Sequence, residues 1–201
     1  MKKLRLAIIL FIVVSLAVFF SLTEGVDHYV SEHFLLNNLD DVNKVDIVET
    51  FSNLFSTSGT IIIVAIASAI LLFLNKRKEA LVLILTMIIT ALINLLIKEI
   101  YLRPRPFYRL VEEIGYSYPS GHSNAVSSFI SMIYFMVKNN YTKRASRITL
   151  FLGSLLAFSI ALSRILLGVH YFSDIVGGLL SGYIVSILIY KLSYKTFPRL
   201  A

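Results

Sequence analysis

The chain has 201 residues, 57% of them hydrophobic and only 15% charged, against roughly 25% charged in an ordinary soluble domain. That balance points to a membrane protein, and the length suits one membrane-embedded domain over residues 1–201. The absence of cysteine excludes a disulfide framework and any thiolate metal site. A net charge of +7 would suit a nucleic-acid binder only if the basic residues shared one soluble face, and they are dispersed along the chain.

A helix crossing a bilayer needs about 20 apolar residues. In chain order the candidate spans are Leu4–Leu22, Thr57–Leu74, Ala80–Ile97, Ser123–Val137, Arg147–Leu162 and Ile175–Leu192. Lys2, Lys3 and Arg5 before the first run resemble the start of a signal peptide, but the run is long for one and no Ala-x-Ala-like site follows. It is read as a retained span. Between the first two spans lies the polar stretch Thr23–Ser56. In its later half Val42, Val45, Val48, Phe51 or Ser52, and Phe55 recur every three to four residues, the spacing of a short amphipathic helix along the interface. That helix is expected to cap the bundle without a chemical role. The fold class is therefore all-α: six transmembrane helices with one interfacial helix between the first two.

Orientation follows from charge. The ends near residues 2–5, 76–78, 138–147 and 191–199 hold 13 of the 19 Lys and Arg. The positive-inside rule places these ends, and both termini, in the cytoplasm. Seven acids between Glu24 and Glu49 then lie outside. Short basic loops beside anionic lipid leave no surface for nucleic acid.

The basic residues left on the outer side are Lys44, Lys98, Arg103, Arg105, Arg109 and Arg164. Near span ends, long basic side chains reach lipid phosphates routinely; an anion pocket is the competing reading, decided by the company they keep. In KEIYLRPRP, Pro104 and Pro106 end the helix and push Arg103 and Arg105 toward extended backbone. In YPSGHS, Ser120 is placed to cap the fourth span, and a helix start offers free N–H groups to an anion. His122 sits in that first turn. In SRILLGVHYFSD, His170 and Asp174 are four apart and meet on one face if the sixth helix begins nearby. A carboxylate on one imidazole nitrogen fixes the tautomer and leaves the other nitrogen free to attack; the structural alternative is a helix cap. Gly168 offers the break that lets Arg164 and His170 share a site. All three groups fall at one end of spans three to six. No His-x-x-x-His pair or acidic cluster near them suggests a metal, and Glu112 and Glu113 are expected to be solvated.

Lys98 followed by Arg105-Pro106, then Pro119-Ser120-Gly121-His122, then Ser163-Arg164, His170 and Asp174 resembles the three-part signature of the type-2 phosphatidic acid phosphatase superfamily, complete and in order. The resemblance covers Ala80 to Leu192; the first two spans match in layout only. The short six-span form is similar to bacterial lipid phosphatases acting on phosphatidylglycerophosphate or undecaprenyl diphosphate. It implies that His170 forms a phosphohistidine, Asp174 orients it, and His122 protonates the leaving oxygen. It also implies that Lys98, Arg105 and Arg164 hold the phosphate, with Ser120 and the Gly121 N–H assisting, and that no cofactor is needed. The substrate would be a membrane lipid bearing phosphate or diphosphate, met at the extracytoplasmic face. Arg103 is a candidate contact to a second phosphate. Soluble haloperoxidases share the signature, but the near-absence of soluble loops argues against them. The alternatives of another class are a lipid-headgroup binder or translocator, which has no use for the His170–Asp174 pair, and a secondary transporter, for which the spans carry too few ionisable residues.

Overall fold

A computed structural model describes residues 2–34 and 42–196 of the chain. Asp40, Asp41 and Arg199, counted in the charge argument above, lie outside the described residues. Within them the apolar runs form helices, and no strand occurs. They are α1 (Lys2–Phe19), α2 (Glu24–Phe34), α3 (Val42–Ser52), α4 (Thr57–Phe73), α5 (Arg77–Tyr101), α6 (Gly121–Asn140), α7 (Lys143–Leu166) and α8 (Phe172–Thr196). Each expected span is recovered as a helix, and α5 to α8 run a few residues further at both ends. At the start of α7, Thr142 caps the helix by accepting from the Ala145 N–H at 3.1 Å. Polar residues thus extend a helix past the point where an apolar count stops.

Three helices, α5, α7 and α8, are long and apolar enough to cross a membrane; the number rises to five if the bent pairs α1–α2 and α3–α4 each count as one span. The six expected spans are therefore met only in part. The missing one is α6, whose Ser123, Asn124, Ser127 and Ser128 are buried against neighbouring helices and dilute its apolar character. Lipid-facing surface is plentiful elsewhere: Leu96 on α5 and Phe151 and Phe158 on α7 are all more than 60% exposed. Apolar exposure on this scale fits a bilayer rather than water.

The polar stretch differs from expectation. Residues 24–34, to which the sequence reading assigns no element, form α2, set at 92° to α1 after a turn at Ser21 (φ 57). α3 forms as a helix where the spacing predicts one, with Val45 and Val48 half-buried and Ser52 and Phe55 buried; Phe51 and Val42 are exposed. The supposed cap also reaches the site, as described below.

The centre of the bundle is the α6–α8 contact. A Cβ on Gly178 would stand 2.6 Å from the Ser120 carbonyl oxygen, and one on Gly182 would stand 2.3 Å from that of Asn124. Only glycine permits this approach, the small-residue packing expected of helices in lipid. Polar bonds stitch the same seam. Asn124 donates to Ser181 (2.5 Å), Ser127 to the Leu179 carbonyl (2.6 Å) and Ser186 to the Ser128 carbonyl (2.9 Å). The seam fixes where α6 and α8 begin, and those two beginnings carry the site.

Candidate active site

Four helix ends meet at one end of the bundle: the last turns of α5 and α7 and the first turns of α6 and α8. α5 stops at Leu102, which adopts the left-handed region (φ 48). Lys98 in its last turn donates to the Tyr116 carbonyl. The following segment, residues 103–120, folds back over the site. Its Ser117 N–H bonds the Arg103 carbonyl at 2.9 Å, and Leu110 N–H bonds the Leu167 carbonyl at 3.0 Å. Arg105 is held by this loop's own backbone, donating to the Gly115 carbonyl (3.0 Å) and the Ile114 carbonyl (3.2 Å). Its Nη1 reaches the Val169 carbonyl (2.9 Å) and lies 3.1 Å from His170 Nε2.

α7 ends at Leu166, and Gly168 with φ 66 supplies the expected break. His170 follows in the connection, 2% exposed. Its Nδ1 faces Asp174 Oδ2 at 3.4 Å, a long contact. Asp174 also accepts from the Tyr171 N–H at 2.9 Å. This is the reach-back of a third-position acid in a capping box, so the side chain that faces His170 also caps α8. Burial, then Arg105, Arg164 and Lys98, hold the His170 imidazole well below its ordinary pKa. Because Arg105 can only donate, Nε2 accepts in that contact, and Nδ1 is the nitrogen that can donate to Asp174.

Asp174 has a stronger partner than His170. Arg103 Nη1 lies 2.6 Å from Asp174 Oδ1, and Arg103 Nη2 lies 2.7 Å from Asp27 Oδ2 on α2. Asp27, 1% exposed, also accepts from the N–H (2.8 Å) and hydroxyl (2.7 Å) of Ser173. Burial opposes charge on Arg103, but Asp174 and Asp27 outweigh it and raise its pKa. Both terminal nitrogens of Arg103 are on carboxylates, and Nη1 also donates to Ser173 Oγ at 2.7 Å.

Arg164, 1% exposed, donates through Nη1 to Ser52 Oγ at 2.5 Å and through Nη2 to Glu113. Glu113 also sits 3.6 Å from Arg105. Its expected solvation is therefore incorrect: the loop folds inward and places this carboxylate between two guanidinium groups, while Glu112 makes no such contact. Ser120 caps α6 by accepting from the Ser123 N–H at 3.4 Å, and its own N–H bonds the Asp174 carbonyl at 3.0 Å. Gly121 and His122 follow in the first turn. His122 lies in the electrostatic field of Arg164, His170, Arg105 and Lys98. Among the described residues its buried Nε2 has no hydrogen-bond partner, and neither has Arg164 Nε. The sequence motifs come together at these helix ends: Lys98, Arg105, Arg164, His122 and His170 lie within electrostatic reach of one another as a cup of polar side chains, and Asp174 lies against His170.

Residues 79–198 match the sequence profile of the PAP2 superfamily, more than half of the chain. The chain belongs to the PAP2 superfamily. It is 28% identical over 182 residues to a protein named phosphatidylglycerophosphatase B from Bacillus subtilis, covering 89% of each chain. Its fold is similar to the crystal structure of a transmembrane PAP2-type phosphatidylglycerolphosphate phosphatase from Bacillus subtilis, with TM-score 0.87, 24% identity, and coverage of 98% of this chain and 99% of the other. It is also similar to the crystal structure of Aquifex aeolicus LpxE, with TM-score 0.59, 23% identity, and coverage of 77% and 90%.

Two site partners of this PAP2 chain fall outside the matched region. Asp27 and Ser52 come from the polar stretch before it, as partners of Arg103 and Arg164. Sequence reasoning missed both because Asp27 is one acid among seven there and Ser52 is read only as an alternative to Phe51 on the face of a capping helix.

Proposed function

We propose that this PAP2 chain hydrolyses the terminal phosphate of a membrane lipid phosphate through a phosphohistidine on His170, without a metal ion. The observation that carries the reading is the cup itself. A buried neutral imidazole presents Nε2 among cationic side chains, and a carboxylate from Glu113 already bridges two of them. A carboxylate is a fair stand-in for the oxygens of a phosphate, which guanidinium forks bind in the same planar manner. Among the described residues no three His, Cys, Asp or Glu side chains converge as metal ligands would. The charge balancing the phosphate comes from Lys98, Arg105 and Arg164.

In the first step the Nε2 lone pair of His170 attacks phosphorus, and the bond from phosphorus to the lipid oxygen breaks. His122 gives its proton to that oxygen, releasing the lipid alcohol. In the second step water attacks phosphorus, His122 accepts the water's proton, and the P–N bond breaks to return His170 and free phosphate. Asp174 keeps the His170 proton on Nδ1 throughout. Ser120 and the Gly121 N–H, at the start of α6, face the developing negative charge.

The substrate best supported is phosphatidylglycerophosphate. The Bacillus relative carries that name, and both terminal nitrogens of Arg103, the candidate contact for a second phosphate, are already paired with Asp27 and Asp174. We further propose six crossings, with α6 crossing inside the bundle, both termini cytoplasmic and the cup on the extracytoplasmic face. The distribution of Lys and Arg supports this orientation.

Purified protein should release phosphate from phosphatidylglycerophosphate in the presence of chelator, faster than from undecaprenyl diphosphate or phosphatidate. His170→Ala should lower kcat by about 1,000-fold or more, as removing a covalent nucleophile does, and acid-labile label from substrate phosphate should appear on the parent protein only. Retention of the parent rate by His170→Ala would end this proposal in favour of a headgroup binder.

A further inference from the structure

At the end of the bundle away from His170, a groove of about 390 Å³ runs between α6, α7, α8 and the start of α1. Lys138 on α6 is 17 residues beyond Gly121, so it lies about 25 Å from the site at 1.5 Å per residue. On α6 the groove follows one face from Ser127 through Ile130 and Tyr134 to Lys138, a stretch of roughly 16 Å. That is about half of a hydrocarbon core ~30 Å thick, the depth of one leaflet. Its walls are mainly apolar, with Leu150 and Ala157 on α7 and Ile187 on α8.

The shallow end is different. Lys3, Lys138 and Lys191 come from three separate helices and converge there, and no acidic residue lines the groove. None of the three makes an ion pair among the described residues. Lys138 lies over the Tyr134 ring of the groove at 5.7 Å, a longer contact than those of two other basic residues at this end: Lys76 donates to the Tyr141 hydroxyl at 2.7 Å, and Lys78 lies over the Tyr194 ring at 4.3 Å. Random placement of positive charge near the membrane surface does not require three lysines around the mouth of an apolar slot one leaflet deep.

We propose that this groove is a binding site for an anionic phospholipid, distinct from the catalytic cup. One acyl chain lies along α6 between α7 and α8, and the phosphate is held by Lys3, Lys138 and Lys191. The apolar slot selects a lipid over a soluble anion, and the lysines select an anionic headgroup over a zwitterionic one. A lipid there ties the start of α1 to the ends of α6 and α8.

The chain has no tryptophan, so a single introduced one reports its local lipid. Leu150→Trp places the reporter on the groove wall. Leu81→Trp places a control on the exposed face of α5, about one turn from Arg77 and Lys78 at the same end of the bundle but outside the groove. Each protein is reconstituted in phosphatidylcholine vesicles carrying increasing brominated phosphatidylglycerol, and fluorescence quenching is compared with brominated phosphatidylcholine. At Leu150→Trp the preference for phosphatidylglycerol should be on the order of 100-fold, the product of about fivefold per lysine. At the control it should stay within about 25-fold, the contribution of the two nearby cations Arg77 and Lys78. Replacing the three lysines with Gln should reduce the groove preference to the control's level or below, and replacing them with Arg should keep it. Equal preference at the two positions, or a groove preference unchanged by the Gln variant, overturns the proposal. Adding His170→Ala should leave the preference intact, so the outcome does not depend on the hydrolysis reading.

Discussion

Asp27 lies outside the PAP2 match, yet it holds the arginine that holds Asp174, which makes it the sharpest test of the site. The perturbation is Asp27→Asn, which keeps the shape and removes the charge. The amide oxygen can still accept from the Ser173 N–H, at 2.8 Å in the parent. The amide nitrogen then faces Arg103 Nη2, 2.7 Å away in the parent, so donor meets donor and the ion pair is lost. Breaking a buried pair costs about 3–5 kcal/mol when the partner is left alone. Arg103 retains Asp174 at 2.6 Å, so the loss of stability should be smaller, about 2 kcal/mol. The kinetic effect follows from position. With one anchor gone, Arg103 and the Asp174 carboxylate it grips shift relative to His170, and small displacements of this kind cost about 10- to 100-fold in rate. KM should change little, because Asp27 does not line the phosphate cup. The assay is initial-rate phosphate release from phosphatidylglycerophosphate in mixed micelles, with thermal unfolding measured alongside. Ser31→Ala is the control. Its hydroxyl is buried on the same helix and bonds only the Asp27 carbonyl at 2.7 Å, so it should lower the melting temperature and leave kcat unchanged. A kcat for Asp27→Asn within twofold of the parent, with only the melting temperature lowered, would refute the positioning argument.

Glu113→Gln should lower KM about tenfold with kcat unchanged, because phosphate no longer competes with a carboxylate for Arg105 and Arg164; a raised KM would show that Glu113 assists binding instead. The pH profile tests the environment of His170. Its pKa is held well below the ordinary histidine value of about 6.5 by burial and by Arg105, Arg164 and Lys98. The acid limb of kcat/KM that belongs to His170 should therefore lie below that pH, and Arg105→Gln should move it upward by removing one repelling cation. The sign for stability is the same: below pH ~6.5 the unfolded chain takes up a proton that folded His170 refuses, so its contribution to stability falls as the pH drops. An acid limb that Arg105→Gln moves downward would contradict the geometry.

The sequence by itself determined that the apolar runs are helical and that Lys98, Arg105, Arg164, His122, His170 and Asp174 lie at one set of helix ends. Apolar runs of this length have no other stable form in lipid, because every backbone polar group must be satisfied within the segment. The spacing of Lys98, Arg105, Ser120, His122, Arg164, His170 and Asp174 is local to four helix ends, so a linear motif carries it. Helix ends were less legible: α7 begins at Lys143 because Thr142 caps it, a signal that hydropathy does not register. α2 was missed because its apolar content is low, and its burial depends on docking Asp27 and Ser31 against the rest of the bundle. Tertiary structure alone decided the partners of the site. Asp27 meets Arg103 across 76 residues, Ser52 meets Arg164 across 112, and Glu113 meets Arg164 across 51. A buried guanidinium takes whichever acceptor the packed helices bring within reach, and that choice is made by how α2, α3 and the 103–120 loop sit on the bundle, not by any spacing along the chain.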